Sequence, residues 1–357
     1  MKRYPLTRGH THVGCPICTI IPSHILRHLA KDGPEHLREK ILQTLQNSAR
    51  LRGQREMLAY FGAVALSTPT GTKRRTIYDL KHGTQLPGTL VRGEGDSKSK
   101  DVQVNEAYNY SGATYDFYSK VFGRNSVDGK GMRLDSSVHY DADYDNAFWN
   151  GAQMVYGDGD GTIFQRFTKC LDVIGHELTH GVTQYEAGLA YQDQSGALNE
   201  SISDVFGSMV KQWKKRQTAD KADWLIGEGL LAKGINGAAL RSMKEPGTAY
   251  DDPQIGTDPQ PAHMKDYVKG SADNGGVHTN SGIPNHAFYL VATTLGGRSW
   301  EKAGKIWYDT LCNILQANAS FADFANGTLR SAGILFGVGS KEQAAVKTAW
   351  QQVGVIK

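Results

Sequence analysis

The sequence predicts an α+β fold in three parts: a short helical leader, a β-rich lobe and an α-helical lobe. Three observations carry that reading. Apolar residues recur at helical spacing in PSHILRHLA and PEHLREKILQTLQNSARL, within residues 22–60. From about residue 61 the texture turns to short β-like runs punctuated by Gly and Asp. From about Phe164 to the end the pattern is mostly helical again. The three parts are placed at 1–64, 65–171 and 172–357.

In the leader, Pro34 suits the first turn of a helix, where its missing N–H costs nothing. STPTGTKRR then reads as a breaker-rich, basic, exposed segment. In the β-rich lobe the strand candidates are RRTIYDL, TLVRGEG, RLDSSVHY and NGAQMVYGDGDG. A helix, VNEAYNYSGATYDFYSKVF, interrupts them. The α-helical lobe offers FTKCLDVIGHELTHGVTQYE, ALNESISDVFGSMVKQWKK, IPNHAFYLVATTL and SWEKAGKIWYDTL. No repeat of fixed period is visible.

Composition narrows the class. The 357 residues are 39% hydrophobic and 21% charged, as in ordinary globular chains. No apolar run reaches about 18 residues, so no membrane span is expected. MKRYPLTRGHTHVGCPIC has a basic start without an apolar stretch behind it. The expectation is therefore no standard secretory signal and cytoplasmic synthesis, with any release by a non-classical route. Cys15, Cys18, Cys170 and Cys312 do not form a disulfide framework, and the last two read as buried free thiols. Residues 1–64 hold ten Lys/Arg against four Asp/Glu, whereas the rest holds 30 against 32. A basic leader would be drawn to a mildly acidic body. The basic residues are not interleaved with aromatics, which argues against nucleic acid as a partner. A monomer is expected.

The chemistry concentrates in DVIGHELTHGVTQYEAGLAYQDQSGALNESISDVFG, residues 172–207. On a helix, residues i and i+4 project from one face, so His176 and His180 can point at one ion. Glu177 lies one residue round from His176, poorly placed as a ligand but able to take a proton from water at the metal. Glu200, on the next helix, supplies the third ligand and leaves a fourth position open, as catalytic zinc requires. Asp204, one turn on, can hold the far nitrogen of a ligating histidine. HExxH by itself is a weak signal. The downstream GALNESISD at this spacing makes it a strong one.

HELTH, GLAYQDQSGALNESISDVFG and NGGVHTNSGIPNHAFYL resemble the thermolysin-like zinc metallopeptidases. The resemblance runs from about Val102 to the C-terminus, and the short leader with CTIIPSHILRHLA is similar to that of protealysin-type precursors. It implies a two-lobed catalytic unit with the zinc helix at the floor of the cleft, acting as an endopeptidase on protein and peptide substrates. It implies zinc on His176, His180 and Glu200, with Glu177 as general base. It implies transition-state stabilisation by Tyr191 and His278, orientation of His278 by Asp273, and a substrate carbonyl held by Arg241. Asn146 and Ala147 match the edge strand that bonds the substrate backbone. Phe164, Phe167, Val173, Ile226, Leu230 and Leu240 match the pocket lining, so cleavage before a bulky hydrophobic residue is expected. An inert binder on this fold would need none of Glu177, Tyr191 and His278. An esterase for small molecules would have no use for the strand at Asn146.

The leader is expected to be a propeptide that inhibits intramolecularly and is cut by the enzyme itself between about Tyr60 and Gly71. Cys18 offers a thiolate switch at the zinc. A rival reading gathers His10, His12, Cys15 and Cys18 into a separate zinc site. The resemblance also implies a calcium pair beside the zinc helix. Here Asp172, Asp223 and Glu228 remain, but Lys211 stands where a bridging acid is expected, Leu225 replaces another acid, and GINGAALRS offers none. The expectation is that the Lys211 ammonium replaces calcium, pairing with Asp172, Asp223 or Glu228.

Overall fold

Short runs of β-branched and aromatic residues build one six-stranded sheet: β1 (Cys18–Thr19), β2 (Arg75–Asp79), β3 (Thr89–Arg92), β4 (Leu134–Val138), β5 (Ala147–Trp149) and β6 (Met154–Tyr156). The structure is a computed structural model that describes residues 18–61 and 71–357, with side chains over 19–48 and 71–357. The strand order is β1-β5-β6-β4-β2-β3. The β4 strand is parallel to both β2 and β6, and the other pairs are antiparallel. The leader thus contributes an edge strand, which helical periodicity did not reveal. It pairs Cys18 with Trp149 and Thr19 with Phe148.

The leader's helical stretch divides into α1 (Ser23–Asp32) and α2 (Glu35–Phe61). In α1 the face with Ile25, Leu26 and Leu29 is buried. Gly33 ends the helix by donating its N–H to the Leu29 carbonyl at 3.0 Å, and Pro34 precedes the next one. The interrupting helix of the β-rich lobe is α3 (Val102–Phe122). Asp101 caps its start by accepting from the N–H groups of Gln103 and Val104, and left-handed Gly123 closes it.

The C-terminal lobe holds α4 (Leu171–Tyr185), α5 (Asp193–Lys215), α6 (Asp273–Asn280), α7 (Gly282–Leu295), α8 (Ala303–Asn313), α9 (Phe321–Phe336) and α10 (Lys341–Gln352). Two small ladders, β7 (Leu225–Ile226) with β8 (Arg241–Ser242) and β9 (Asp251–Asp252) with β10 (Gly256–Thr257), lie between α5 and α6. The sequence reading did not single out α9 and α10. Their start signals are the Ser320–Asp323 capping box and Ser340, which accepts from Gln343 N–H. One apolar cluster runs through both lobes and takes in Ile20, Ile21, Ile25, Leu26 and Leu29 of the leader. Cys170 and Cys312 are free thiols as expected, although Cys312 is only half-buried.

The pair α4 and α5 is the frame of the site, and glycines set its spacing. A Cβ on Gly207 would lie 2.5 Å from the Asp172 carbonyl oxygen and 3.0 Å from His176 N. Gly175 faces the same crossing, where a Cβ on it would lie 3.1 Å from Gly207 Cα. Gly207→Ala is expected to force the helices apart, at a cost of about 1–3 kcal/mol in urea unfolding, and to lower the zinc content of the purified protein.

Candidate metal centre and active site

The i, i+4 spacing on α4 brings the Nε2 atoms of His176 and His180 to 2.9 Å from each other. Glu200 reaches in from α5, with Oε2 3.5 Å from His176 Nε2 and Oε1 3.5 Å from His180 Nε2. The three are fully buried, and their ligand atoms lie within 4.8 Å of one another. They form the one such metal-binding group among the described residues.

The second ring nitrogens fix the tautomers. His176 Nδ1 lies 2.8 Å from Asp204 Oδ1, and His180 Nδ1 lies 2.8 Å from Asn199 Oδ1. Asn199 donates its amide to the Leu189 carbonyl at 3.2 Å, so its oxygen faces the imidazole. Both acceptors put the ring proton on Nδ1 and leave an Nε2 lone pair on each histidine. Two such lone pairs facing each other beside a carboxylate call for a cation. Two imidazoles and one carboxylate are the donor set of catalytic zinc. Asn199 was not read from the sequence, although it stands one residue before Glu200 in GALNES.

Asp204 is also the hub of a second network. Its Oδ2 accepts from Arg241 Nε at 2.8 Å and Asn285 Nδ2 at 2.9 Å, and its Oδ1 accepts from Arg241 Nη2 at 2.9 Å. Burial opposes its ionisation, but Arg241 and His176 hold the carboxyl far below the usual carboxylate range. The pair is bidentate and fully buried, so removing either partner strands a charge.

A third arm comes from α6. Its first four residues, Asp273 to Gly276, all have positive φ, from 50° to 83°. Glycine suits the last two of these positions, and at Gly275 a Cβ would meet Asp193 Oδ1 at 2.0 Å. This tight left-handed turn folds Asp273 back onto His278, with Oδ2 accepting from the backbone N–H at 2.9 Å and Oδ1 2.7 Å from Nδ1. Burial opposes protonation of His278, yet Asp273 and Glu200 raise its pKa to about 9. Tyr191 OH sits 3.2 Å from His278 Nε2 and donates to Glu200 Oε1. Glu177, buried on α4, accepts from Trp149 N–H at 3.0 Å.

Leader residues fill the space in front of this cluster. Thr19 O lies 2.9 Å from His278 Nε2, and Ile20 O accepts from Arg241 Nη1 at 3.1 Å. Ile20 N donates to Ala147 O at 3.2 Å, and Ile21 N to Asn146 Oδ1 at 3.0 Å. Phe164, Phe167, Val173, Ile226, Leu230 and Leu240 are buried in the same apolar cluster as Ile20 and Ile21. Further out, Lys40 pairs with Asp143, Gln43 and Asn47 donate to Asp141, and His24 Nε2 lies 2.7 Å from Tyr250 OH. Hydrogen bonds and ion pairs thus link His176, His180, Glu200, Asp204, Tyr191, Asp273, His278 and Arg241 into one site, with Asn146 and Ala147 beside it through the leader. His10, His12, Cys15 and the side chain of Cys18 lie outside the described residues, as does most of the 60–71 stretch.

At the calcium position, Lys211 Nζ lies 2.9 Å from Asp172 Oδ2 and 2.8 Å from Asp223 Oδ1, and donates to the Leu225 carbonyl at 2.7 Å. Glu228 is not part of this group and faces Lys215 at 3.8 Å.

A buried two-histidine, one-carboxylate cluster beside a strand edge, on a frame of one β-containing and one helical lobe, defines a peptide-cleaving metallohydrolase. Comparison with known proteins narrows this further. Residues 62–184 match the family model described as the thermolysin metallopeptidase catalytic domain, and 187–355 match its α-helical domain. The chain belongs to the thermolysin metallopeptidase family. It is 54% identical over 343 residues to an extracellular metalloprotease of Pectobacterium carotovorum subsp. carotovorum, covering 95% of this chain and 97% of that one. It is 50% identical to protease PrtS of Photorhabdus sp. (strain Az29), covering 94% and 91%. Against thermolysin of Alicyclobacillus acidocaldarius it is 42% identical over 83% of its length, and spans about half, 54%, of that relative. The solved structure described as the precursor of protealysin, a metalloproteinase from Serratia proteamaculans, superimposes with a TM-score of 0.88 at 56% identity, covering 95% of this chain and 100% of that one.

These relatives overturn one expectation. The Pectobacterium protein is named an extracellular metalloprotease, so the cytoplasmic placement does not stand.

Proposed function

We propose that this chain is the precursor of a zinc endopeptidase that works outside the cell, cleaves before bulky hydrophobic residues, and is held inactive by its own leader until it cuts itself between Tyr60 and Gly71. The division follows the sequence reading: leader 1–64, β-rich lobe 65–171, helical lobe 172–357. The observation that carries the proposal is the leader segment in the cleft, with the Thr19 carbonyl of β1 on His278 and the following Ile20 carbonyl on Arg241.

His176, His180 and Glu200 would hold zinc. When bound, zinc supplies a Lewis acid that polarises a carbonyl and acidifies a water molecule. Glu177 takes the proton of the attacking water as general base. His278 and Tyr191 donate hydrogen bonds to the oxygen on which negative charge develops, and Asp273 keeps His278 in place and charged. Arg241, Asn146 and Ala147 fix the substrate backbone through main-chain bonds, which read little sequence. Specificity is left to Phe164, Phe167, Val173, Ile226, Leu230 and Leu240, whose apolar surface favours a large aliphatic or aromatic side chain. Lys211 replaces calcium, so the fold needs none at that position.

Casein digestion with and without a chelator tests the reading. Digestion should stop on chelation and return with zinc. Digestion that survives full removal of the metal would refute it.

Acid should loosen the leader. Burial lowers the His24 pKa from 6.5 to about 4, with Asp273 opposing and His278, Arg241 and Arg27 assisting. The released leader binds a proton between those values and the docked one does not, so docking is strongest above about pH 6.5 and weakens as pH falls to about 4. Leader release, followed by limited proteolysis with an added protease, should be faster at pH 5 than at pH 7.5. His24→Gln should flatten the difference.

A further inference from the structure

The four backbone bonds of the leader strand define a register, and the register singles out one peptide bond. Its markers run in order along the chain. The Thr19 carbonyl is bonded by His278 Nε2 at 2.9 Å, and the same nitrogen lies 3.5 Å from Glu200 Oε2 of the metal cluster. The next N–H, of Ile20, is accepted by Ala147 O. The next carbonyl, of Ile20, is held by Arg241, and the next N–H, of Ile21, by Asn146 Oδ1. Thr19 therefore presents its carbonyl to the polarising end of the cleft. Ile20 follows directly, and its side chain is fully buried in the apolar core.

We infer that Thr19–Ile20 is a second self-cleavage bond, seated by the fold as a substrate and distinct from the cut between Tyr60 and Gly71. The inference rests on the peptidase reading above and names a substrate of that same site. Two unrelated observations meet here. Hydrogen bonding picks the bond, and the residue after it has the bulky apolar side chain that the cleft residues favour. A cavity of about 160 Å³ between the leader and the body, bordered by Thr19, Tyr191, Asp273 and His278, has room for water beside the Thr19 residue. One water adds across the bond: its oxygen goes to the Thr19 carbon, and both its protons, the first carried by Glu177, go to the Ile20 nitrogen, so that the C–N bond breaks to a Thr19 carboxylate and an Ile20 ammonium.

The cut does not by itself open the cleft. Ile20 and Ile21 stay tied through α1 and α2, whose contacts at His24, Lys40, Gln43, Asn47 and Ser48 lie beyond the bond. The product then occupies the site until the helices detach. The nicked precursor is a clipped, still-inhibited state, and cleavage at 60–71 or acid release completes activation.

The test follows the zinc-loaded full chain by intact mass, with casein digestion measured on the same samples. A polypeptide beginning at Ile20 should form in first-order fashion, at a rate unchanged by tenfold dilution. Ile20→Asp should slow it by at least about 100-fold, because a carboxylate would enter an apolar site, whereas Ile20→Leu should retain it. A readout that needs no turnover uses Glu177→Gln: the amides of Ile20 and Ile21 should be protected from hydrogen exchange. Casein digestion and full maturation without any species beginning at Ile20 would overturn the inference alone, as would free exchange of those two amides. Absence of casein digestion as well as of the fragment would overturn it together with the peptidase reading.

Discussion

Glu177→Ala should lower peptide hydrolysis by at least about 10²–10⁴ while leaving the zinc content unchanged. Glu177 neighbours His176 in sequence, but the metal-binding group is His176, His180 and Glu200, and Glu177 instead accepts from Trp149 N–H. On the proposed mechanism the substitution therefore removes a base, and it spares the three residues of the metal-binding group. The purified variant should also stay at full length, since self-processing needs the same base. Intact mass and elemental analysis of one preparation read both effects. Normal ripening of the pure variant would exclude self-processing, and loss of zinc would reassign Glu177 to the metal.

Lys211→Ala should destabilise the precursor by about 3–5 kcal/mol, the usual cost of removing one partner of a buried ion group. Burial opposes the charge on Lys211, but Asp172 and Asp223 outweigh it and raise its pKa. Asp172 is 2% exposed and Asp223 22%, so the acids left behind could not fully turn to water. Millimolar calcium should leave the melting temperature of the wild-type precursor unchanged and should partly rescue the variant, because the vacated space would again be ringed by oxygens. A rise of many degrees in the wild-type protein would show that the lysine does not replace the ion.

The fold class was legible because its signals are local. Helical spacing and the Gly/Asp punctuation mark three textures, and the structure keeps them. The α9 and α10 helices passed unnoticed although their serine caps were in plain sight. The strand β1 could not be read at all: two residues have no period, and only the partner strand β5, more than a hundred positions away, makes them a strand. The metal cluster was legible for the opposite reason, since i, i+4 on one helix and a carboxylate on the next follow from helix geometry. Arg241 and Asp273 were named through resemblance. Arg241 is placed non-locally, by its bidentate pair on Asp204, and Asp273 by a left-handed turn that no periodicity marks. Asn199 and Gly207 escaped because their work is done on the face of α5 turned toward α4, and nothing in the sequence marks which helix lies opposite.

The strand pairing between leader and body has a further consequence for colloidal behaviour. While β1 is in place, the row of donors and acceptors along β5 is satisfied. Once it leaves, the sheet has a bare edge of the kind that lets folded proteins stick to one another and nucleate aggregates. Most proteins blunt such an edge with charge, a bulge or a covering loop. Here the exposed edge is Ala147, Phe148 and Trp149, three buried apolar residues with no charge among them. Any extended segment that adheres there lies beside Glu177, which accepts from Trp149 N–H of that strand. Under the proposed function, protein freed of its leader should clear that edge by hydrolysis and turn turbid on storage only when its metal has been stripped.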